Sequence, residues 1–325
     1  MILICGGLAD SLTELMCSRL LDCGYDYRFL DLGVYPKGFK VKWHWRGSYP
    51  EGYIAGPDWT LDIEELTGVY VRYIGEEARI APTDISKDAV PRMYLEFDTG
   101  LMALFEDLTC PVINRTGGGM SNGSKPYQGL LVRECGLLTP PTLVTNDPQS
   151  ALQFYNEWNS EVIYKSLSGI RSIVRRMQSQ QLERIQFLRN GPAQFQAFIP
   201  GENIRVHTVG SQLFATRVLS EAVDYRYANR DGQSVEMEAT ILPTAVEESC
   251  LLLAQKLDLL LAGIDLKLTP EGDYYCFEVN PSPAFLFYEK HSGQPISKAV
   301  ADLLYQGTNR RMMYKKEMTN VMTKI

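Results

Sequence analysis

The sequence predicts a mixed α/β (α+β) protein, and three observations lead there. The chain opens with a short apolar run, a glycine pair and a helix-period segment. Strand–turn–strand signals crowd its last third, and helix-period segments separate the strands throughout. Of its 325 residues 45% are apolar, enough for two or three packed units with substantial cores. A net charge of −7 provides no global basic field for nucleic acid. The seven cysteines, at 5, 17, 23, 110, 135, 250 and 276, form no CxxC pair, and only three histidines occur. That pattern argues against zinc and against a disulfide framework, so reduced thiols in a cytoplasmic protein are expected. Met1 runs directly into ILIC without a basic n-region or a long apolar stretch, so neither a signal peptide nor a membrane span is expected.

Residues 1–32 read as strand, glycine turn, helix and strand. MILIC is short and apolar, Gly6-Gly7 follows, and Leu12, Leu15, Met16 and Leu20 fall at helical spacing before Tyr27–Leu32 resumes as strand. Without a full GxGxxG pattern, the glycine pair reads as a tight βα turn. Val41–Trp45 and Val69–Ile74 are extended patches around a Gly/Pro-rich stretch, and Arg72 lies in the second. A helix over 88–108 is expected, after which PVINRT leads into the glycine-rich GGGMSNGSKP at 117–126. Helices at 127–136 and 147–159 bracket a TPPTLVT strand, with Asp147-Pro148 as a start signal. Glu161–Lys165 and Ile173–Arg176 are strands on either side of the polar loop SLSGIRS. A strand–turn–strand pattern covers 194–218, a polar stretch runs to 240, a helix spans Ala245–Leu261, and a hairpin follows. No internal repeat is present. The basic, methionine-rich segment 308–325 reads as a frayed tail, with a partner-facing helix as the alternative.

The hairpin is the most informative segment. Ile264–Leu268 and Tyr274–Val279 flank Pro270-Glu271-Gly272-Asp273, where Pro favours the entry of a turn and Gly its exit. A turn centred between Glu271 and Gly272 sets Asp265 opposite Glu278, and strand alternation puts Asn280 on the same face. Two carboxylates opposed on a ladder repel each other. A cation between them is the simplest justification, and an all-oxygen Asp/Glu/Asn set suits Mg²⁺. A solvated face, or a turn displaced by one residue, is the competing reading.

Other residues extend this picture. Lys165 ends the strand VIYK beside a loop containing Gly169, where an ammonium and loop N–H groups can contact phosphate oxygens. Lys125, just after the glycine run, offers a second such charge. Extended backbone at Ala197, Phe198 and Ile199 can hydrogen-bond an adenine edge, with Gln196 or Glu202 beside it. Arg205 and Arg217 lie on successive strands. A two-residue Gly210-Ser211 turn would set Arg205 opposite Thr216 and turn Arg217 to the other face; both enter one site only through a longer turn or a bulge.

The order lysine, glycine loop, lysine, loop, hinge strand, arginine pair and Asp…Glu-x-Asn resembles the ATP-grasp superfamily over residues 1–307, with FEVNP as its most specific motif. The resemblance implies two α+β units gripping ATP between antiparallel sheets after a smaller N-terminal domain. The divisions expected are 1–114 (pre-ATP-grasp), 115–190 (central), 191–307 (C-terminal) and a tail at 308–325. It also implies ATP and Mg²⁺, a pair of ions in the expected form, an acyl-phosphate intermediate, and capture by an amine, hydroxyl or thiol. Lys125, Lys165 and the 196–199 hinge would hold ATP; Asp265, Glu278 and Asn280 would carry Mg²⁺; Arg205 and Arg217 would be catalytic, neutralising the phosphoryl.

Within the superfamily the chain looks most like the ribosomal-protein glutamate ligases and the graspetide (microviridin-type) peptide ligases. The features are VYVRYI at 69–74, NGSKPYQ…GLLTPPTLVTNDP at 122–148, FATRV…DYR at 214–226 and FEVNPSPAFLFYEKHSGQPISKAVADLL at 277–304. NPSPAF departs from the NPxGQW-like stretch of graspetide ligases, and 220–240 follows their leader-binding segment only loosely. By resemblance the partner is a ribosomal precursor peptide, joined side chain to side chain through an amide or ester, and the protein a homodimer. Arg72, Arg171, Arg175 and Arg176 are candidates for holding an acidic peptide, and Asp224 and Arg226 for gripping a leader; a solvated strand end and a surface pair are the plainer readings of 175–176 and 224–226. Two alternatives stand: a ligase joining a small carboxylate to an amine or amino acid, and a non-catalytic nucleotide-binding protein. No GxSxG, HExxH or Cys/His pairing supports a hydrolase or a zinc enzyme.

Overall fold

The protein is described by a computed structural model that covers residues 1–46, 49–120, 124–167, 175–219 and 236–307. The expectations for Gly169, Arg171, Asp224, Arg226 and the 308–325 tail lie outside the described residues.

The chain starts with strand β1 (Ile2–Gly6), helix α1 (Ser11–Asp22) and strand β2 (Tyr27–Asp31). Asp10 caps α1, its carboxylate accepting from the Thr13 N–H at 2.9 Å and the Thr13 hydroxyl at 2.8 Å. Then follow β3 (Lys40–Arg46), β4 (Tyr49–Ala55), β5 (Thr60–Asp62), β6 (Gly68–Val71), helix α2 (Val90–Asp107), β7 (Val112–Ile113) and a single turn α3 (Thr116–Gly119). β1, β2, β6 and β7 form a parallel sheet in the order β2-β1-β6-β7, and β3-β4-β5 form an antiparallel one. β4 and β5 occupy the Gly/Pro-rich stretch expected to lie between extended patches. Gly52 is why β4 passes there: at φ 151° it sits against the Lys42 carbonyl, where a Cβ would collide.

Next come helix α4 (Lys125–Glu134), β8 (Thr142–Thr145), α5 (Pro148–Glu157), β9 (Val162–Lys165), β10 (Arg175–Arg176), α6 (Ser179–Glu183) and β11 (Ala193–Ala197). The four strands pair antiparallel in the order β10-β9-β11-β8. Tyr164, Phe195 and Leu143 pack with Ala151 and Phe154 of α5 on one side of this central sheet. Alternation leaves Ile163, Lys165, Gln194, Gln196 and Thr142 on the other.

The last unit is β12 (Glu202–Val209), β13 (Gln212–Leu219), β14 (Glu236–Thr240), α7 (Thr244–Lys256), β15 (Leu261–Leu268), β16 (Tyr274–Asn280), α8 (Leu286–Ser292) and α9 (Ile296–Tyr305). Its sheet runs β14-β13-β12-β15-β16. The helix expected to reach Leu261 stops at Lys256, because Asp258 turns left-handed (φ 54°) and Leu261 begins a strand. α4 and α7 cover one face of the sheet, with Val132, Cys250, Leu253, Ile264 and Val279 in a shared core. α4 therefore packs with the C-terminal sheet, although the 115–190 division groups it with the central one. The far end of the other face joins α1, α8, α9 and β1 in a core with Met16, Val209, Phe285 and Leu304. No described helix is long and apolar enough to cross a membrane.

Candidate active site

The β15–β16 register brings the oxygen donors together by an unexpected route. Leu268, Lys267 and Leu266 face Tyr274, Tyr275 and Cys276, so the turn is centred on Glu271, half a residue from the expected centre. A β-bulge then leaves Phe277 unpaired, and Asp265 faces Glu278 and Gly263 faces Asn280 beyond it. Asp265, Glu278 and Asn280 share one face. Phe277 lines a cavity of about 200 Å³ with Lys125, Gln194 and Gln196.

β16 is an edge strand, and Gln128 on α4 completes it: its amide donates to the Val279 carbonyl at 2.9 Å and accepts from the Val279 N–H at 2.8 Å. Asn114, just after β7, binds the same end, where β15 begins and β16 stops. Its side chain donates to the Leu261 carbonyl at 2.6 Å and to the Pro281 carbonyl, and accepts from the Leu260 and Leu261 N–H groups.

Arg205 reaches the site from β12, opposite Asp265 and Thr216 in register. Its Nη1 lies 2.6 Å from Asp265 Oδ1. The guanidinium fills the space above Gly263, where a Cβ would overlap it and Pro283. Next along the same strand face is His207, fully buried, its Nε2 3.5 Å from Arg205 Nε and its ring edge-on to Tyr288 at 4.9 Å. Burial, and then the charge of Arg205, hold the imidazole pKa well below its ordinary value. Neutral His207 thus supplies a ring and a lone pair beside the guanidinium, not a second positive charge.

Arg217 does not join them. The Gly210-Ser211 turn has two residues and β12–β13 pair without a bulge, so Arg217 faces Ile204 on the opposite side of the sheet. There it pairs with Glu202 at 3.2 Å and Glu238 at 3.3 Å. The expectation of an arginine pair in one site is corrected on this point, and Glu202 is engaged on that side too.

The donor set fits a hard cation. Among the described residues no three His, Cys, Asp or Glu side chains cluster as metal ligands; the set here is two carboxylates and an amide oxygen. Asp265 uses one oxygen on Arg205, and Lys125 Nζ stands 3.9 Å from one oxygen of Glu278, so each carboxylate keeps an oxygen outside its ion pair. Asn280 Oδ1 accepts from the Ser282 N–H at 3.0 Å. Six-coordinate Mg²⁺ takes such ligands together with phosphate oxygens.

From Ser282 the hydrogen bonds continue into the N-terminal unit. Arg72 donates to the Ser282 hydroxyl at 3.1 Å and to both oxygens of Asp10 at 2.7 and 3.1 Å. Burial alone would raise the Asp10 carboxyl pKa, but Arg72 and Thr13 hold it below the ordinary carboxylate range. Arg72, a candidate for holding an acidic substrate, is thus already neutralised by Asp10. It borders a cavity of about 360 Å³ with Tyr73, Asn114, Met120 and Ser282.

Across from the oxygen donors, the inner face of the central sheet carries Lys165, which is buried, and Gln196, whose amide donates to Thr142 Oγ1 at 3.0 Å. In the hinge, the Ala197 N–H donates to the Pro141 carbonyl and the Phe198 N–H to the Glu161 carbonyl. The Ile199 N–H, by contrast, has no acceptor among the described residues. Lys267 was not singled out from sequence, although it follows Asp265 by two residues and so shares its face. Burial, and then Arg176, lower its pKa. Gly263 and His207 carried no comparable signal, because their role is to shape the surroundings of Arg205.

Two facing sheets, one with buried Lys165 and the other with an Asp/Glu/Asn trio under an arginine, define a nucleotide-dependent ligase of the ATP-grasp class. A family model for the RimK-like ATP-grasp domain matches residues 125–304, more than half of the chain, and the chain belongs to that family. Solved structures agree on the fold. The macrocyclase MdnC of Microcystis aeruginosa MRC, bound with its precursor peptide MdnA, is 23% identical with a TM-score of 0.79, over 95% of this chain and 100% of that one. The ATP-grasp ligase PsnB, complexed with a minimal precursor, is 25% identical with a TM-score of 0.77, over 95% and 99%. A RiPP-associated ATP-grasp ligase of Chryseobacterium gregarium, in complex with ADP and a leader and core peptide, is 22% identical with a TM-score of 0.81, over 95% and 98%. No curated sequence is a significant match.

Proposed function

We propose that this ATP-grasp enzyme is a carboxylate–amine/alcohol ligase that modifies a ribosomally made precursor peptide, joining a side-chain carboxylate to a Lys amine or a Ser/Thr hydroxyl through an acyl phosphate. The observation that carries the proposal is the Asp265–Glu278–Asn280 face with Arg205 aligned above Gly263, in a chain that matches peptide-modifying relatives over 95% of its length.

ATP supplies the phosphoryl group, and Mg²⁺ held by Asp265, Glu278 and Asn280 supplies charge neutralisation at the phosphates. The chain's own residues position and stabilise. Lys165 on the central sheet and Lys125 beside Glu278 present ammonium groups to phosphate oxygens. Arg205, fixed by Asp265 and backed by neutral His207, faces the charge that develops as the phosphoryl moves to the substrate carboxylate. No side-chain nucleophile is required. The acyl phosphate forms as the carboxylate oxygen bonds phosphorus and ADP leaves; attack by the amine or hydroxyl on the acyl carbon then releases phosphate and a proton. The 360 Å³ cavity on the N-terminal side of the Asn280–Ser282 loop is the approach for the carboxylate. The division into 1–114, 115–190 and 191–307 and a homodimeric state belong to the same proposal.

The test is ADP release with Mg²⁺-ATP, with and without acidic candidate precursor peptides, and product masses recorded. ADP formation with loss of one or more waters from a peptide is the expected result. ADP formation without peptide dependence would transfer the assignment to a small-carboxylate ligase.

A further inference from the structure

Three residues outside the five-stranded sheet hold the outer edge of β16 and its continuation, and they divide at the bulge. Before it, the Cys276 N–H donates to the Leu138 carbonyl at 2.8 Å. After it, Gln128 accepts from the Val279 N–H at 2.8 Å and donates to the Val279 carbonyl at 2.9 Å, while Asn114 donates to the Pro281 carbonyl. Both polar atoms of the buried Gln128 side chain are therefore used on one backbone residue. Lys125, one helical turn earlier on α4, stands 3.9 Å from Glu278.

The place of the bulge gives this division a consequence. From the turn as far as Cys276 the register with β15 is continuous, with Leu268, Lys267 and Leu266 facing Tyr274, Tyr275 and Cys276. Continued without a bulge, it would set Asp265 opposite Phe277 and Ile264 opposite Glu278. Ile264 lies in the core beneath α4 and α7. A one-residue slip would thus turn Glu278 and Asn280 to the buried face, away from Asp265. The hairpin turn by itself does not align the two carboxylates. Two features select the bulged register instead. The Val279 side chain is buried in the same core as Ile264. The Gln128 amide then occupies the Val279 backbone, the step between Glu278 and Asn280. It pairs the edge where a neighbouring strand would otherwise be needed.

We propose that Gln128 is a positioning residue for the metal site, holding the bulged register that keeps Glu278 and Asn280 beside Asp265. The proposal rests on the reading of that face as a Mg²⁺ site. It makes α4 the element that sets the orientation of the oxygen donors, through the backbone between them and not through contact with the metal.

The test is equilibrium binding of ADP to the full chain, Q128M and Q128N, in EDTA and across a Mg²⁺ titration, with circular dichroism checking each fold. Methionine keeps the length without the amide, and asparagine keeps the amide one methylene short of Val279. In the unaltered chain Mg²⁺ should tighten ADP binding by about tenfold or more, the increment of charge-assisted contacts. Both variants should lose most of that gain while metal-free ADP affinity stays within about twofold. Hydrogen exchange at the Val279 amide should quicken in both. A Mg²⁺ gain undiminished in the variants overturns the proposal, and so does unchanged Val279 protection. An equal loss of ADP affinity with and without Mg²⁺ also overturns it, because it gives Gln128 a general packing role. Q128N decides the matter if Q128M fails to fold. An unaltered chain whose ADP affinity does not respond to Mg²⁺ overturns the metal reading itself, a result recognisable before any variant is made.

Discussion

Asp265 and Glu278 stand directly opposite each other on β15 and β16, although the turn joining the strands is centred on Glu271 and the unpaired Phe277 is needed to align them. Two opposed carboxylates are an electrostatic liability unless a cation serves both. E278Q removes that charge at constant size. It should lower turnover by about 100-fold or more while the denaturation midpoint stays close to that of the unaltered chain. Stopped-assay ADP release and urea unfolding measure the two effects; normal turnover in E278Q would sink the metal assignment.

Gly263 is the floor beneath Arg205. A methyl group there meets the guanidinium and Pro283, so G263A must push Arg205 away from Asp265. Turnover should fall by about 100-fold, the scale of losing one aligned charge-stabilising donor, while strain costs about 1–3 kcal/mol of stability. Unchanged kcat in G263A would show that the position of Arg205 over Gly263 is not used.

The two arginines on β12 and β13 should separate cleanly by mutation. R205Q takes away the group beside Asp265 and is expected to lose turnover on the scale of G263A. R217Q breaks half-exposed pairs with Glu202 and Glu238 on the far face, and such pairs contribute about 0–1 kcal/mol. Turnover in R217Q should stay within a few-fold of the parent, and a loss equal to that of R205Q would return Arg217 to the chemistry.

His207 makes stability depend on pH. Its folded pKa lies well below the ordinary value, with burial the larger cause and Arg205 the second. As pH falls below about 6.5, the unfolded chain takes up a proton that the folded chain refuses, and stability drops by up to about 1.4 kcal/mol per pH unit. The loss continues until the folded pKa is reached. Urea midpoints at neutral and mildly acidic pH should show this slope, and H207Q should flatten it. A slope identical in H207Q would mean that other groups account for it.

Much of the site was legible because it depends on local rules. Strand alternation placed Asp265, Glu278 and Asn280 on one face, and the two-residue Gly210-Ser211 turn implied that Arg205 and Arg217 diverge. The same alternation reaches Lys267, whose place beside Asp265 was available and passed over. β4 and β5 were missed because Pro50 and Gly52 read as breakers, whereas an antiparallel partner at Lys42 makes Gly52 a requirement. The helix before β15 was read as too long because Leu257–Leu261 continues its apolar character across the turn at Asp258.

The sequence by itself determined the mixed α/β class and the sharing of one face by Asp265, Glu278 and Asn280, since these follow from periodicity and turn chemistry within a few residues of chain. Only the tertiary structure decided how Arg205 is held, between Gly263, Asp265 and His207, and how Asn280 connects through Ser282 and Arg72 to Asp10. Arg205 lies 60 residues before Asp265, and Arg72 lies 62 residues from Asp10 and 210 from Ser282. The meeting of Arg72 with Ser282 depends on α1, α8 and α9 burying one core with β1, a packing solution that no local pattern encodes.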